Sequence, residues 1–145
     1  MPRFQLTTAV PTAPEELFDL SLDVDAHMAS MAQSGERVVG GVRSGPMKLG
    51  DEVTWSARHF GVRWRMTSRI TAYERPLRFV DEQVRGPFRR WWHEHTFQWD
   101  PEAEVTVMRD VIEFVAPVGM VSHAVLGPYM VKLIERRNAH LAAAR

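Results

Sequence analysis

From Glu52 to Val115 the chain reads as one strand after another, and the breaks between them are too short for anything but antiparallel neighbours. Gly61 divides "EVTWSARHFGVRWRMTSRITAYE" into strands over 52–60 and 62–74. In the second of these, Trp64, Met66, Ser68 and Ile70 share one face, while Arg63, Arg65, Thr67 and Arg69 share the other. These are the dry and wet faces an antiparallel sheet presents. Three more strands are predicted over about 77–85, 88–99 and 103–115, with Gly86-Pro87 and Asp100-Pro101 marking the turns between them.

A sheet with one dry face needs a cover. The stretch "GMVSHAVLGPYMVKLIERRNAHLAAAR" supplies it, because Leu126, Met130, Leu133, Ile134, Arg137 and Leu141 form a stripe at helical spacing. Pro128 is expected to kink this helix or to start its regular part, since it has no N–H for the turn behind it. Ahead of the sheet run, "RFQLTTAV" (3–10) alternates like a strand. Pro14, Glu15 and Glu16 suit the first turn of a short helix. A second short helix is expected to start near Asp23 or Asp25 and to end before Gly35, and "ERVVGGV" reads as a short strand. The order is β-αα-ββββββ-α, an α+β fold with an antiparallel sheet of about seven strands.

The 145 residues suit a single domain over 1–145. Eighteen basic residues balance 18 acidic ones, which argues against general affinity for nucleic acid or an anionic membrane. No segment approaches the ~18 consecutive apolar residues of a membrane span. There are no cysteines, so thiolate chemistry, thiolate metal sites and disulfides are out, in keeping with a cytoplasmic protein.

The chemistry concentrates in "GPFRRWWHEHTFQW" (86–99). Alternation puts Trp91, His93, His95, Phe97 and Trp99 on one face, the more apolar one, and Arg90, Trp92, Glu94, Thr96 and Gln98 on the other. Hairpin pairing lets Phe79, Asp81 and Gln83 share the inner face on one side, and Thr106, Met108, Asp110, Ile112 and Phe114 on the other. A close-packed core rarely carries so many polar groups, because each needs a partner. A cavity can hold them.

The stretches "APEELFDLSLDVDAHMASM", "LGDEVTWSARHFG", "RFVDEQVRGPF", "HEHTF" and "YMVKLIERRNAHL" make the chain resemble the START-like, or SRPBCC, superfamily over nearly its whole length. That superfamily has the helix-grip fold of the birch pollen allergen. The resemblance is to bacterial ligand-binding and polyketide cyclase/dehydratase-type members. It implies a curved sheet wrapped around the last helix and a deep, mostly apolar cavity between them. Its members bind lipids, polyketides or other hydrophobic molecules, and some catalyse cyclisation or dehydration there. The superfamily has no universal catalytic motif, so fold likeness gives a binding mode and not a reaction.

The expected occupant is a small hydrophobic or aromatic ligand. Trp55, Met66, Phe79, Trp91, Phe97, Met108, Leu126 and Met130 are the candidate apolar walls. His59, Asp81, Gln83, His93, His95 and Asp110 are the candidate polar marks. In the enzyme alternative His93 or His95 is the acid–base group and Asp110 its orienter. His93-x-His95 with Asp110 or His59 resembles part of a metal shell, but two ligands on a strand do not complete one, and neither metal nor cofactor is expected. Arg58, Arg63, Arg65, Arg69 and Trp92 read as a solvated sheet face rather than a nucleic-acid surface. A protein-interaction module, including a homodimer, is the remaining class.

Overall fold

The computed structural model describes residues 3–32, 35–116 and 123–143. Seven strands, β1 (Arg3–Val10), β2 (Arg37–Gly41), β3 (Glu52–His59), β4 (Val62–Glu74), β5 (Arg78–Arg85), β6 (Arg90–Asp100) and β7 (Val105–Val115), form one antiparallel sheet. Their spatial order is β1-β7-β6-β5-β4-β3-β2. Helices α1 (Pro14–Ser21) and α2 (Val24–Ser30) follow β1, and α3 (His123–Ala143) follows β7. The element order and the antiparallel pairing match the expectation. Residues 33, 119–122 and 144–145 of the expected helices lie outside the described residues.

Local chemistry sets the boundaries. Pro14 opens α1 with Glu15 and Glu16 in its first turn. Asp23 caps α2, its Oδ1 accepting from Ala26 N at 2.9 Å. Strand β6 starts at Arg90 rather than 88 because the Phe88 backbone is engaged elsewhere. Gln83 Nε2 donates to Phe88 O (2.7 Å), and Phe88 N donates to Gln83 Oε1 (3.1 Å). A Cβ on Gly86 would run into that same Gln83 side chain. Strand β7 starts at Val105 rather than 103 because Asp100 Oδ1 takes the N–H groups of Glu102 and Ala103 in a turn. The β3–β4 hairpin has the two-residue form in which both central residues have positive φ, here Phe60 (53°) and Gly61 (74°). Phe60 accepts a conformation that costs a side-chain-bearing residue on the order of 1 kcal/mol.

The register pairs Phe79 with His95, Asp81 with His93, His95 with Asp110 and Phe97 with Met108. The inner faces of β5, β6 and β7 therefore share one surface, as predicted. Trp99 departs from the expected face pattern: it is 42% exposed, two positions beyond the last covered residue, Phe97. Pro128 lies within α3 rather than at its start. The helical stripe is buried at Leu126, Leu133, Ile134, Arg137 and Leu141.

Two apolar clusters hold the helices to the sheet. Phe18 of α1 meets Phe79 and Phe97 edge-on, both with ring centroids 5.4 Å away, and packs with Leu17, Met108 and Leu141. The other cluster joins Leu126 and Ile134 of α3 to Trp91, Ile112 and Phe114. Along β6, His93 and His95 fall between Trp91 of one cluster and Phe97 of the other.

Candidate functional site

His93 and His95 point the same way because they are two residues apart on one strand. Their rings stack with centroids 3.7 Å apart and planes 20° from parallel. Phe79 stacks on the far side of His95 at 4.0 Å. Each histidine faces a carboxylate directly across the ladder, yet each bonds more closely to the diagonal one. His93 Nε2 lies 2.8 Å from Asp110 Oδ1, and His95 Nε2 lies 2.8 Å from Asp81 Oδ2. His95 Nδ1 also approaches Asp110 Oδ1 at 3.2 Å.

Helix α3 completes the cluster. Arg137 Nη1 donates to Asp110 Oδ1 (3.1 Å) and to Asn138 Oδ1 (3.0 Å), and Arg137 Nη2 lies 3.4 Å from His95 Nδ1. Asn138 Nδ2 donates to Asp110 Oδ2 at 2.7 Å and to Thr8 Oγ1 at 3.3 Å. Asp110 is fully buried, which alone would raise its pKa. The hydrogen bonds from His93 and His95 and the Arg137 charge outweigh that and hold it well below the usual carboxylate range. Burial also acts to raise Asp81, but the His95 hydrogen bond and the nearby His93, His95 and Arg137 leave it lowered. Burial, then the charge of His95, push His93 down to about 4 against the pull of both carboxylates. His93 is therefore neutral near pH 7.

Above this cluster lies a cavity of about 200 Å³ between the sheet and α3. Trp55, His59 and Met66 line it from β3 and β4; Phe79, Asp81, Trp91, His93 and His95 line it from β5 and β6; Leu126 and Met130 line it from α3. Four candidate residues lie off its surface. Gln83 is spent on the Phe88 turn. Phe97 and Met108 are packed under α1 in the Phe18 cluster. Asp110 sits behind the histidines and Arg137, acting on the cavity only through them.

Other lining residues were not singled out from sequence. Arg137 is one, and its only signal was its place on an otherwise apolar stripe. At the opposite end, His59 Nδ1 and Tyr129 Oη are 2.7 Å apart, and Phe60, 46% exposed, packs on Tyr129 at 4.5 Å. Burial lowers the pKa of His59 and raises that of Tyr129. His27 bonds Glu36 at 2.7 Å and lies against Trp55.

Asp81, His93 and His95 bring potential metal-ligand atoms within 4.8 Å of one another. Within this trio one hydrogen bond is made, between His95 Nε2 and Asp81 Oδ2 at 2.8 Å, and His93 Nδ1 lies 3.9 Å from the same oxygen. His59 belongs to the other end of the cavity.

A curved seven-stranded antiparallel sheet closed by a long helix, with a cavity between them, defines a helix-grip protein. The chain belongs to the "Polyketide cyclase / dehydrase and lipid transport" family, which matches residues 1–144. Among similar solved structures is TTHA0849 from Thermus thermophilus, 16% identical, with 99% of each chain covered and a TM-score of 0.72. Ara h 8.0201 is 11% identical, with 99% of this chain and 96% of that one covered and a TM-score of 0.70. A START superfamily protein from Mycobacterium smegmatis is 13% identical, with 98% and 92% covered and a TM-score of 0.65. At these identities the likeness is one of fold. No curated protein sequence matches the chain. Among the described residues no helix is long and apolar enough to cross a membrane.

Proposed function

We propose that the protein binds a small hydrophobic or aromatic molecule in the cavity between sheet and α3, with the ligand's polar group seated on the Asp81/His93/His95/Arg137 cluster. The observation that carries this is an apolar space with its polar groups gathered in few places, the usual composition of a ligand site. Six polar side chains joined by hydrogen bonds are costly to bury, and a hydrophobic core has no need of them. Native mass spectrometry of freshly purified protein should reveal a co-purified small molecule. Saturation with a good apolar ligand, at about a hundred times its Kd, should stabilise the fold by about 2.7 kcal/mol. If no ligand mass is found and no small apolar compound raises the Tm, the reading fails.

Acid–base catalysis in the same cavity is the second reading. It is favoured by the His93–Asp110 pair, in which Asp110 orients the ring through Nε2. The depressed basicity of His93 ranks it second, because a base of pKa about 4 is a weak proton acceptor near neutral pH. If His93→Ala and His95→Ala leave turnover of an identified substrate intact, the catalytic reading is excluded.

A further inference from the structure

The cluster at the inner end of the cavity has spare acceptors and few spare donors. Asp81 Oδ2 is engaged by His95, but among the described residues Asp81 Oδ1 accepts no hydrogen bond. Its side chain keeps 21% of its exposure and lines the cavity. Neutral His93 carries its proton on Nε2, toward Asp110, so Nδ1 offers a lone pair. Asp81 Oδ2, itself an acceptor, lies 3.9 Å from that nitrogen. The one described buried side-chain polar atom that is both enclosed and unpartnered is Thr12 Oγ1. His93 Nδ1 and Asp81 Oδ1 are therefore open to the cavity. They form adjacent acceptors with no donor between them.

Most of the donors nearby are already engaged. Arg137 directs Nη1 to Asp110 and Asn138, and its Nη2 lies 3.4 Å from His95 Nδ1. Trp55 Nε1 faces Ser68 Oγ at 3.4 Å, and Trp64 Nε1 donates to the His59 carbonyl at 3.1 Å. Charge points the same way. Among the described lining residues, the carboxylates Asp23, Glu36 and Asp81 stand with one arginine, Arg137, and its guanidinium is already paired with Asp110. A ligand entering here displaces water from the acceptors and must return donors to them. A carboxylate would meet Asp81 as a like charge. Size adds a limit: about 200 Å³ is little more than the ~150 Å³ that admits benzene, and below the ~300–1,000 Å³ of drug-sized sites.

We infer that the ligand is of single-ring size and presents a hydrogen-bond donor, a hydroxyl or a protonated amine, to Asp81 and His93, and that it carries no anionic group at that end. The inference rests on the binding reading above and narrows it. The test is a matched series on the full chain, followed by calorimetry and thermal shift: ethylbenzene, 2-phenylethanol, 2-phenylethylamine and 3-phenylpropionate. The alcohol or the amine should bind about tenfold tighter than ethylbenzene, and the carboxylate more weakly than ethylbenzene. Whichever donor wins identifies the head group as hydroxyl or ammonium. In Asp81→Asn the donor's advantage should fall to about threefold or less, because an amide replaces one charged acceptor with a donor. Donors no tighter than ethylbenzene, or a carboxylate as tight as either donor, would overturn the inference while leaving cavity binding intact. If none of the four compounds binds, the binding reading itself falls and takes the inference with it. Should Asp81→Asn lose its circular dichroism signal, the wild-type ranking alone decides.

Discussion

The two ends of the cavity are built on different terms. At the inner end, Asp110 alone receives hydrogen bonds from a β6 histidine and from two neighbouring residues of α3, all fully or nearly fully buried. At the outer end, His59 and Tyr129 share a single bond between a hairpin tip and the first half of α3, beside the exposed Phe60. One end is cross-braced by hydrogen bonds from three strands and a helix, and the other by one hydrogen bond and the Phe60–Tyr129 ring contact. Polar groups that must hold a fixed position need the first kind of support. A place where a ligand enters can use the second, because losing one half-exposed bond costs little.

The largest break in this contrast should come from Asp110→Ala. It strands Arg137 and both histidines without their shared partner, at a cost of about 3–5 kcal/mol in urea denaturation. If the loss is no greater than that caused by a change at His59 or Tyr129, the two ends are not energetically distinct.

Acid should act next, and chiefly at the inner end. His93 has a folded-state pKa of about 4 against 6.5 for the free side chain, so the unfolded chain binds its proton first as pH falls. Stability should therefore drop between pH 6.5 and 4, by on the order of 3 kcal/mol from this group. His59, also lowered by burial, adds in the same direction. Asp81 and Asp110 are depressed carboxylates. Their contribution is intact above the ordinary value of 3.8 and is lost as pH falls further toward their folded-state values. Chemical denaturation across this range should show a slope that His93→Gln flattens. An unchanged slope would mean that His93 is not the group being protonated.

Tyr129→Phe should be mildest. It removes the His59 bond from the outer end and should cost about 1 kcal/mol, with the acid profile of the inner end unchanged. A shift of that profile would show the two ends to be coupled.

Much of this was readable from the sequence because period-two alternation is a strong signal. It places His93 and His95 inward, and hairpin closure then brings Asp81 and Asp110 to them. Alternation tells which face a residue lies on, but not how far along a strand the cavity runs. Phe97 and Met108 share the face of His95, yet α1 packs over them with Phe18 and takes their part of the sheet out of the cavity. Gln83 also has the right face, but its amide is consumed in closing the turn to Phe88. Arg137 was visible as an oddity on the helical stripe; its partner Asp110 lies 27 residues earlier on another element, a pairing that only the docked helix brings about. Tyr129 and the His27–Glu36 pair depend on how helices meet the sheet edge, which no local pattern encodes.

The strand order has a consequence for how the molecule comes together. The strand earliest in the chain, β1, is hydrogen-bonded to the latest, β7, from Arg3 opposite Glu113 to Val10 opposite Thr106. Until that long-range closure occurs, β7 has an unpaired edge, and such closures slow folding because chain entropy is lost before contacts repay it. Arg137 follows β7 in the chain. During synthesis His93, His95 and both aspartates emerge before the cation that neutralises them, so binding competence should be among the last properties the growing chain acquires.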